Sequence, residues 1–257
     1  MGQALKDKNS ISAKALKVFS RVVADDMAML VSLHDKEPDA ELLQALRKES
    51  FPDGVGLKLI AERGRRAFDL MEHALAALPE RIDEAMLDEL AADFANIYLN
   101  YGIHASPEES VWIDDENLTC QDSMFQVRAW YEEHGLMAEN WRIRPDDHLV
   151  LQIRFLAHLF SNAQSTVDLK QAGRFMDEHL LRWLGSFSER VATRCSTAYF
   201  AGIALLTDAY CEELRDLLAT ILEEPRPSQE EIDERMKVVR KPEEVPVSFM
   251  PGMGPAV

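Results

Sequence analysis

The segment RPDDHLVLQIRFLAHLF, Arg144 to Phe160, repeats its large apolar residues at helical rather than strand spacing. Leu149, Ile153, Leu156 and Phe160 recur at intervals of four, three and four, which places them on one face of a helix. Pro145 suits a first helical turn, and Asp146 or Asp147 complements the dipole there, so a helix over about 145–164 is expected. A second stripe, Met86, Leu90, Phe94, Ile97 and Tyr101, has the same spacing, while Asp83, Glu84, Asp88, Glu89 and Asp93 take other positions. Runs of alternating β-branched residues are nearly absent. The remaining helices are expected over approximately 11–34, 38–49, 55–78, 82–100, 116–135, 167–185 and 188–223. Their breaks carry Pro38, Pro79, Gly102 and Gly135. The fold class is therefore all-α, with short connections favouring antiparallel neighbours.

The end of the chain differs, since 6 of its 11 prolines lie between Pro225 and Pro255. A short helix around 228–239, N-capped by Ser228, is expected there, followed by an extended segment. Proline-rich termini bury little, so 225–257 is read as a mobile tail, with an ordered strap on the helical body as the alternative.

The 257 residues include 28 Lys plus Arg against 45 Asp plus Glu, a formal charge of −17. No cationic run exists to displace counterions from phosphates, which excludes a nucleic-acid binder and disfavours an anionic membrane surface. A hydrophobic fraction of 47% with 28% charged residues is globular composition. The chain has no apolar run of signal-peptide length and none of about 18 residues, so a cytoplasmic protein without stable membrane insertion is expected. Cys120, Cys195 and Cys211 form neither a CxxC pair nor an even framework and are read as reduced, buried thiols.

Enzyme signatures are absent: the chain has no HExxH, no phosphate loop, no GxGxxG and no GxSxG. None of the seven histidines has a Glu three residues before it, as carboxylate-bridged metal sites in bundles require. No cofactor is expected. A helical enzyme with a dispersed active site is the second reading, and a generic helical interaction subunit the third.

Recognition is the chemistry that the residues support. Between Glu80 and Glu116 stand eleven acids and one base, a net −10, together with Phe94, Ile97, Tyr98, Tyr101 and Trp112. Apolar side chains rimmed by carboxylates suit a peptide that is part apolar and part basic. The same pattern describes a solvated acidic helix face over ordinary core residues. SPEESVW, Ser106 to Trp112, matches a capping box with Ser106 as N-cap and Glu109 at N3, or a loop in which Glu109 bonds neighbouring backbone. Asp147 and His148 read either as a local brace at a helix start or as polar contacts in a peptide groove.

Six segments in order resemble the TorD/DmsD/NarJ family of cytoplasmic molybdoenzyme maturation chaperones: DFANIYL (Asp93 to Leu99), YG (Tyr101, Gly102), SPEESVW, YEEHGL (Tyr131 to Leu136), RPDDHLVLQIRFLAHL (Arg144 to Leu159) and HLLRWLGSF (His179 to Phe187). The resemblance spans roughly 80–222. It implies a TorD-like helical bundle over 1–224, with a larger N-terminal part to about 143 and a smaller C-terminal part from about 144. It also implies an activity, binding the twin-arginine leader or apo form of a molybdopterin enzyme precursor while cofactor is inserted and export is delayed. The implied contacts are Phe94, Ile97 and Tyr98 as apolar anchors, with Glu109, Ser110, Asp147 and His148 as polar ones. Phe94 and Tyr98 exchange the family's commoner aromatic types, Ile97 replaces Leu, and Arg144 stands where an acid is frequent. These departures bear on which client is bound. A client-specific monomer or homodimer is expected, whose partner is the catalytic-subunit precursor and not nucleic acid.

Overall fold

Helix starts in this chain are written in short polar side chains. Ser12 accepts a bond from Ala15 N at 3.2 Å and opens α1 (Ala13–Asp35), and Asp39 accepts from Leu42 N at 2.8 Å and opens α2 (Ala40–Lys48). These contacts come from a computed structural model, which describes residues 12–237. Next come α3 (Glu62–Ala76) and α4 (Glu84–Phe94), the latter capped by Asp83 and continued by one π-helical turn, Ala95–Leu99. A single-turn α5 (Ser110–Ile113) precedes α6 (Asp122–Glu133) and α7 (Leu149–Asn162). The chain continues through α8 (Thr166–Glu178), a 3₁₀ turn (Leu180–Arg182), α9 (Leu184–Arg194), α10 (Ala198–Leu222) and α11 (Gln229–Met236). Among the described residues there is no strand, and one isolated antiparallel bridge joins Glu108 to His148. The all-α expectation holds.

The stripe on α7 is the core's spine, because Leu149, Ile153, Leu156 and Phe160 have no exposed surface. Helix α1 lies along α7, with Phe19 edge-on to Phe160 at 6.2 Å. Helix α10 is the other axis, packed on α3, α8 and α9. Gly202 permits that approach, since a Cβ there would stand 2.9 Å from Met71 Sδ and 3.1 Å from its Cα. Because α1 lies on α7 and α3 on α10, the segments before and after residue 144 are packed into each other.

Several element boundaries correct the sequence reading. The expected 55–78 helix begins only at Glu62, and the expected 116–135 helix begins at Asp122, because Asn117 and Cys120 adopt positive φ. Residues 188–223 are two helices, broken at Cys195 to Thr197. The helix expected from Pro145 starts at Leu149, with His148 as its N-cap. Cys120 is exposed, contrary to the expectation of buried thiols. Among the described residues no helix is long and apolar enough to cross a membrane.

The start of the proline-rich segment is docked. Ser228 and Glu231 form a reciprocal capping box on α11, Ile232 is buried, and α11 packs on α8. Arg226 reaches Glu212 at 2.6 Å and Asp216 at 3.2 Å, and Gln126 Nε2 donates to Met236 O at 2.9 Å. The reading of 225–257 as a mobile tail therefore fails for 225–237. Its remainder, 238–257, and residues 1–11 lie outside the described residues.

Candidate functional site

Two loops that are distant in sequence run side by side before α5 and α7. Leu149 N donates to Pro107 O at 2.7 Å, and Glu109 N donates to Asp147 O at 3.3 Å. The helix start that SPEESVW announces is capped from the other loop, for Ser110 N donates to Asp147 Oδ2 at 2.8 Å. Neither sequence reading of SPEESVW is correct. Ser106 turns its hydroxyl to the Glu108 carboxylate, and its carbonyl accepts from Trp112 Nε1 at 2.8 Å. Glu109 bonds side chains rather than local backbone, with Gln152 Nε2 at 2.8 Å from Oε2 and His179 Nδ1 at 3.1 Å from Oε1. Gln152 Nε2 also reaches Asp147 O at 2.9 Å, which closes a brace across α5, α7 and the end of α8.

The two aspartates of PDDH diverge. Asp146 faces α6, where Arg128 donates to it at 2.8 and 3.1 Å and Tyr131 OH donates to its carbonyl at 2.9 Å. Asp147 faces α5, and burial pushes its carboxyl up to about 6, with neighbouring Glu109 adding and the bonds to Ser110 opposing. Burial likewise raises Glu108 to about 7. His148 is held neutral, lowered to about 3 by burial and then by Arg144, His34 and Arg154. Its Nδ1 accepts from Val150 N at 3.1 Å, so the ring acts as a cap acceptor.

Phe94, Ile97 and Tyr98 belong to a second cluster, built by the π turn. The Phe94 and Tyr98 rings meet at a 39° tilt with centroids 4.9 Å apart, and Tyr98 OH meets His34 Nδ1 at 2.5 Å. His34 Nε2 meets Thr207 Oγ1 at 2.8 Å, so this relay ties α1, the turn and α10 together. Tyr101 links the two clusters, its OH donating to Glu108 Oε1 at 3.1 Å.

All seven sequence-predicted contacts are at most 7% exposed: Phe94, Tyr98 and His148 keep a small share of their surface, and Ile97, Glu109, Ser110 and Asp147 keep none. The acidic stretch is also partly internal. Asp93, Glu108 and Glu109 are buried, and Asp93 accepts from Ser196 N, Thr197 N and Thr197 Oγ1 at 2.7–3.0 Å, holding the turn that leads into α10 to the end of α4. On α4 and the following loops, Glu84, Asp88, Glu89, Asp115 and Glu116 remain exposed, as do Leu99 (62%) and Tyr101 (38%). Sequence reasoning missed Gln152, His179, Asp146 and Arg128. The available signal was Gln152, a polar residue four after His148 inside the apolar run LVLQIRF.

Fold and brace together define an acidic all-α body in which, among the described residues, no three His, Cys, Asp or Glu side chains gather to hold a metal ion. Comparison with known proteins gives the family. Residues 65–189 match the family model described as nitrate reductase delta subunit. The chain is 31% identical over 159 residues to the chaperone protein TorD of Vibrio cholerae serotype O1 (strain O395), covering 59% of this chain and 71% of that one. It is 28% identical over 207 residues to TorD of Vibrio vulnificus (strain YJ016), covering 76% and 94%. It is also 26% identical over 211 residues to TorD of Shewanella pealeana, covering 78% and 92%. The chain belongs to the TorD family of molybdoenzyme maturation chaperones.

Proposed function

We propose that this chain is a non-enzymatic, client-specific chaperone that acts in the cytoplasm. It binds the twin-arginine leader or apo form of a molybdopterin-containing oxidoreductase, assists cofactor insertion and delays export until folding. The observation that carries the reading is the exposure of Leu99 and Tyr101 at the end of acidic α4. A leader of this kind is a basic pair followed by an apolar run. Carboxylates at Glu84, Asp88 and Glu89 complement the pair, and the open apolar side chains of the turn receive the run. In this reading Phe94, Ile97 and Tyr98 shape the turn from below, while Glu109, Ser110, Asp147 and His148 hold the neighbouring loop rigid.

The test is calorimetric titration of the cognate leader peptide into the parent and Leu99→Asp proteins. The variant is expected to bind at least about tenfold more weakly, about 1.4 kcal/mol, with an unchanged unfolding midpoint because Leu99 is exposed. Equal affinity would sink the placement of the peptide. Failure of the apo catalytic subunit to co-purify with the parent protein would sink the chaperone reading itself.

A further inference from the structure

The connection between α6 and α7 is a hydrogen-bonded turn rather than a loose loop. Ile143 N and Arg144 N both donate to Asn140 O at 3.0 Å, Leu136 N donates to Tyr131 O at 2.8 Å, and Tyr131 OH donates to Asp146 O at 2.9 Å. The turn nevertheless presents apolar side chains to solvent: Met137 is 85% exposed, Ile143 82% and Trp141 41%, with Phe125 of α6 at 52%. Phe125 and Trp141 share one guanidinium, that of Arg128, which lies 5.2 and 5.1 Å from their ring centroids, so α6 and the turn form one surface. Beside them a cleft of about 850 Å³ is lined by Leu136, Met137, Ile143, Leu151 and Phe155. An ordered segment that holds Trp, Met and Ile outward around a concavity marks a surface that something covers. Aromatic side chains, Met and Arg are the types enriched at interface centres.

The charges on the turn select the occupant. Arg128 is paired with Asp146, and Arg144 and Arg154 share Asp35. Within 136–144 two exposed charged side chains, Glu139 and Arg142, have no ion-pair partner among the described residues. Arg142 lies instead over Trp141, 5.6 Å from the ring centroid. A chain of net charge −17 repels its own copies over most of its surface, so two copies approach most easily where opposite charges balance. Here the open charges are one acid and one base, three residues apart. A two-fold axis brings residue i of one copy to residue j of the other, and j to i. Glu139 of each copy can then meet Arg142 of the other, and no charge of the turn is left over. A basic leader is repelled by Arg142, Arg144 and Arg154, which sets this face apart from the acidic one on α4.

We propose that the 136–144 turn, with Phe125, is the contact face of a two-fold homodimer of this chain. Each copy covers the other's Met137, Trp141 and Ile143, and Glu139 pairs with Arg142 across the axis. This goes beyond the client reading and stands or falls separately, because no client enters its test. Sedimentation velocity is run on the full chain at about 1 to 100 μM, a range that spans micromolar association. Four samples are compared: the parent, Glu139→Arg, Arg142→Glu, and an equimolar mixture of the two variants. The parent is expected to pass from monomer to dimer as its concentration rises. Either variant alone sets like charges against each other at both ends of the contact, and is expected to associate at least about tenfold more weakly. In the mixture the two substituted side chains face each other and so do the two unchanged ones, so a heterodimer is expected to form as readily as the parent dimer. Both positions are exposed, so the unfolding midpoints should match the parent's, which separates a lost contact from a damaged fold. A parent that stays monomeric at the highest concentration would overturn the proposal and leave the face to a different protein. Association that either single variant leaves intact would overturn it too, by placing the contact elsewhere. A mixture no more associated than its components would sink the reciprocal pairing of Glu139 with Arg142.

Discussion

At the scale of single residues, Asp147 and His148 are neighbours with opposite proton linkage. His148 is lowered to about 3 in the folded protein, as is His34, against an ordinary 6.5. Between those values the unfolded chain binds protons that the folded chain refuses, so these groups make stability fall as pH drops from 6.5 toward 3. Asp147 at about 6 and Glu108 at about 7 act oppositely, because the folded state holds their protons more readily. Their contribution favours the folded state at low pH and is gone above about 7. His148→Asn keeps a cap acceptor while removing one titrating ring. A flatter dependence of the urea midpoint on pH between 3 and 6.5 is expected for this variant, and a slope equal to the parent's would contradict the neutral, buried ring. Alanine variants of Asp147 or His148 remove members of the brace, since both side chains are buried. Their burial was not legible in RPDDHL, because the loop that covers them is 37 residues earlier in the chain.

At the scale of elements, periodicity located the helices and failed at their ends. Stripes such as Leu149 to Phe160 repeat because a helix turns every 3.6 residues, and that is a local property. Helix starts here are fixed from elsewhere: Asp147 caps α5, and Asp93 holds the turn that leads into α10. Asp93 belongs by pattern to an acidic, solvated face, yet it is 1% exposed and receives backbone bonds from two residues. Asp93→Ala is expected to cost about 2 kcal/mol or more, as loss of a buried carboxylate that satisfies backbone N–H groups does. Asp88→Ala, five residues away and exposed, should stay within about 0.5 kcal/mol of the parent. Urea unfolding of the two variants side by side checks the contrast, and similar losses would return Asp93 to the surface.

At the scale of the whole molecule, the charge of −17 divides between an internal and an external role. Three of the eleven acids in 80–116 are buried in bonds, so long-range attraction comes from the exposed ones on α4 and around Asp115. Leader association should therefore slow as salt is raised while dissociation changes little, which stopped-flow mixing resolves. A dissociation rate that carries most of the salt effect would place the contact at buried charges instead. The all-α class, the family and the acidity follow from the sequence by itself, since composition and helical spacing are properties of each short segment. Only the tertiary structure decided that the seven motif residues face inward, that Asp147 caps α5 and Asp93 holds the turn before α10 from far along the chain, and that α11 docks. Those outcomes depend on which segments meet across α7 and α10, and burial and hydrogen-bond partners are set by that meeting rather than by the neighbours in sequence.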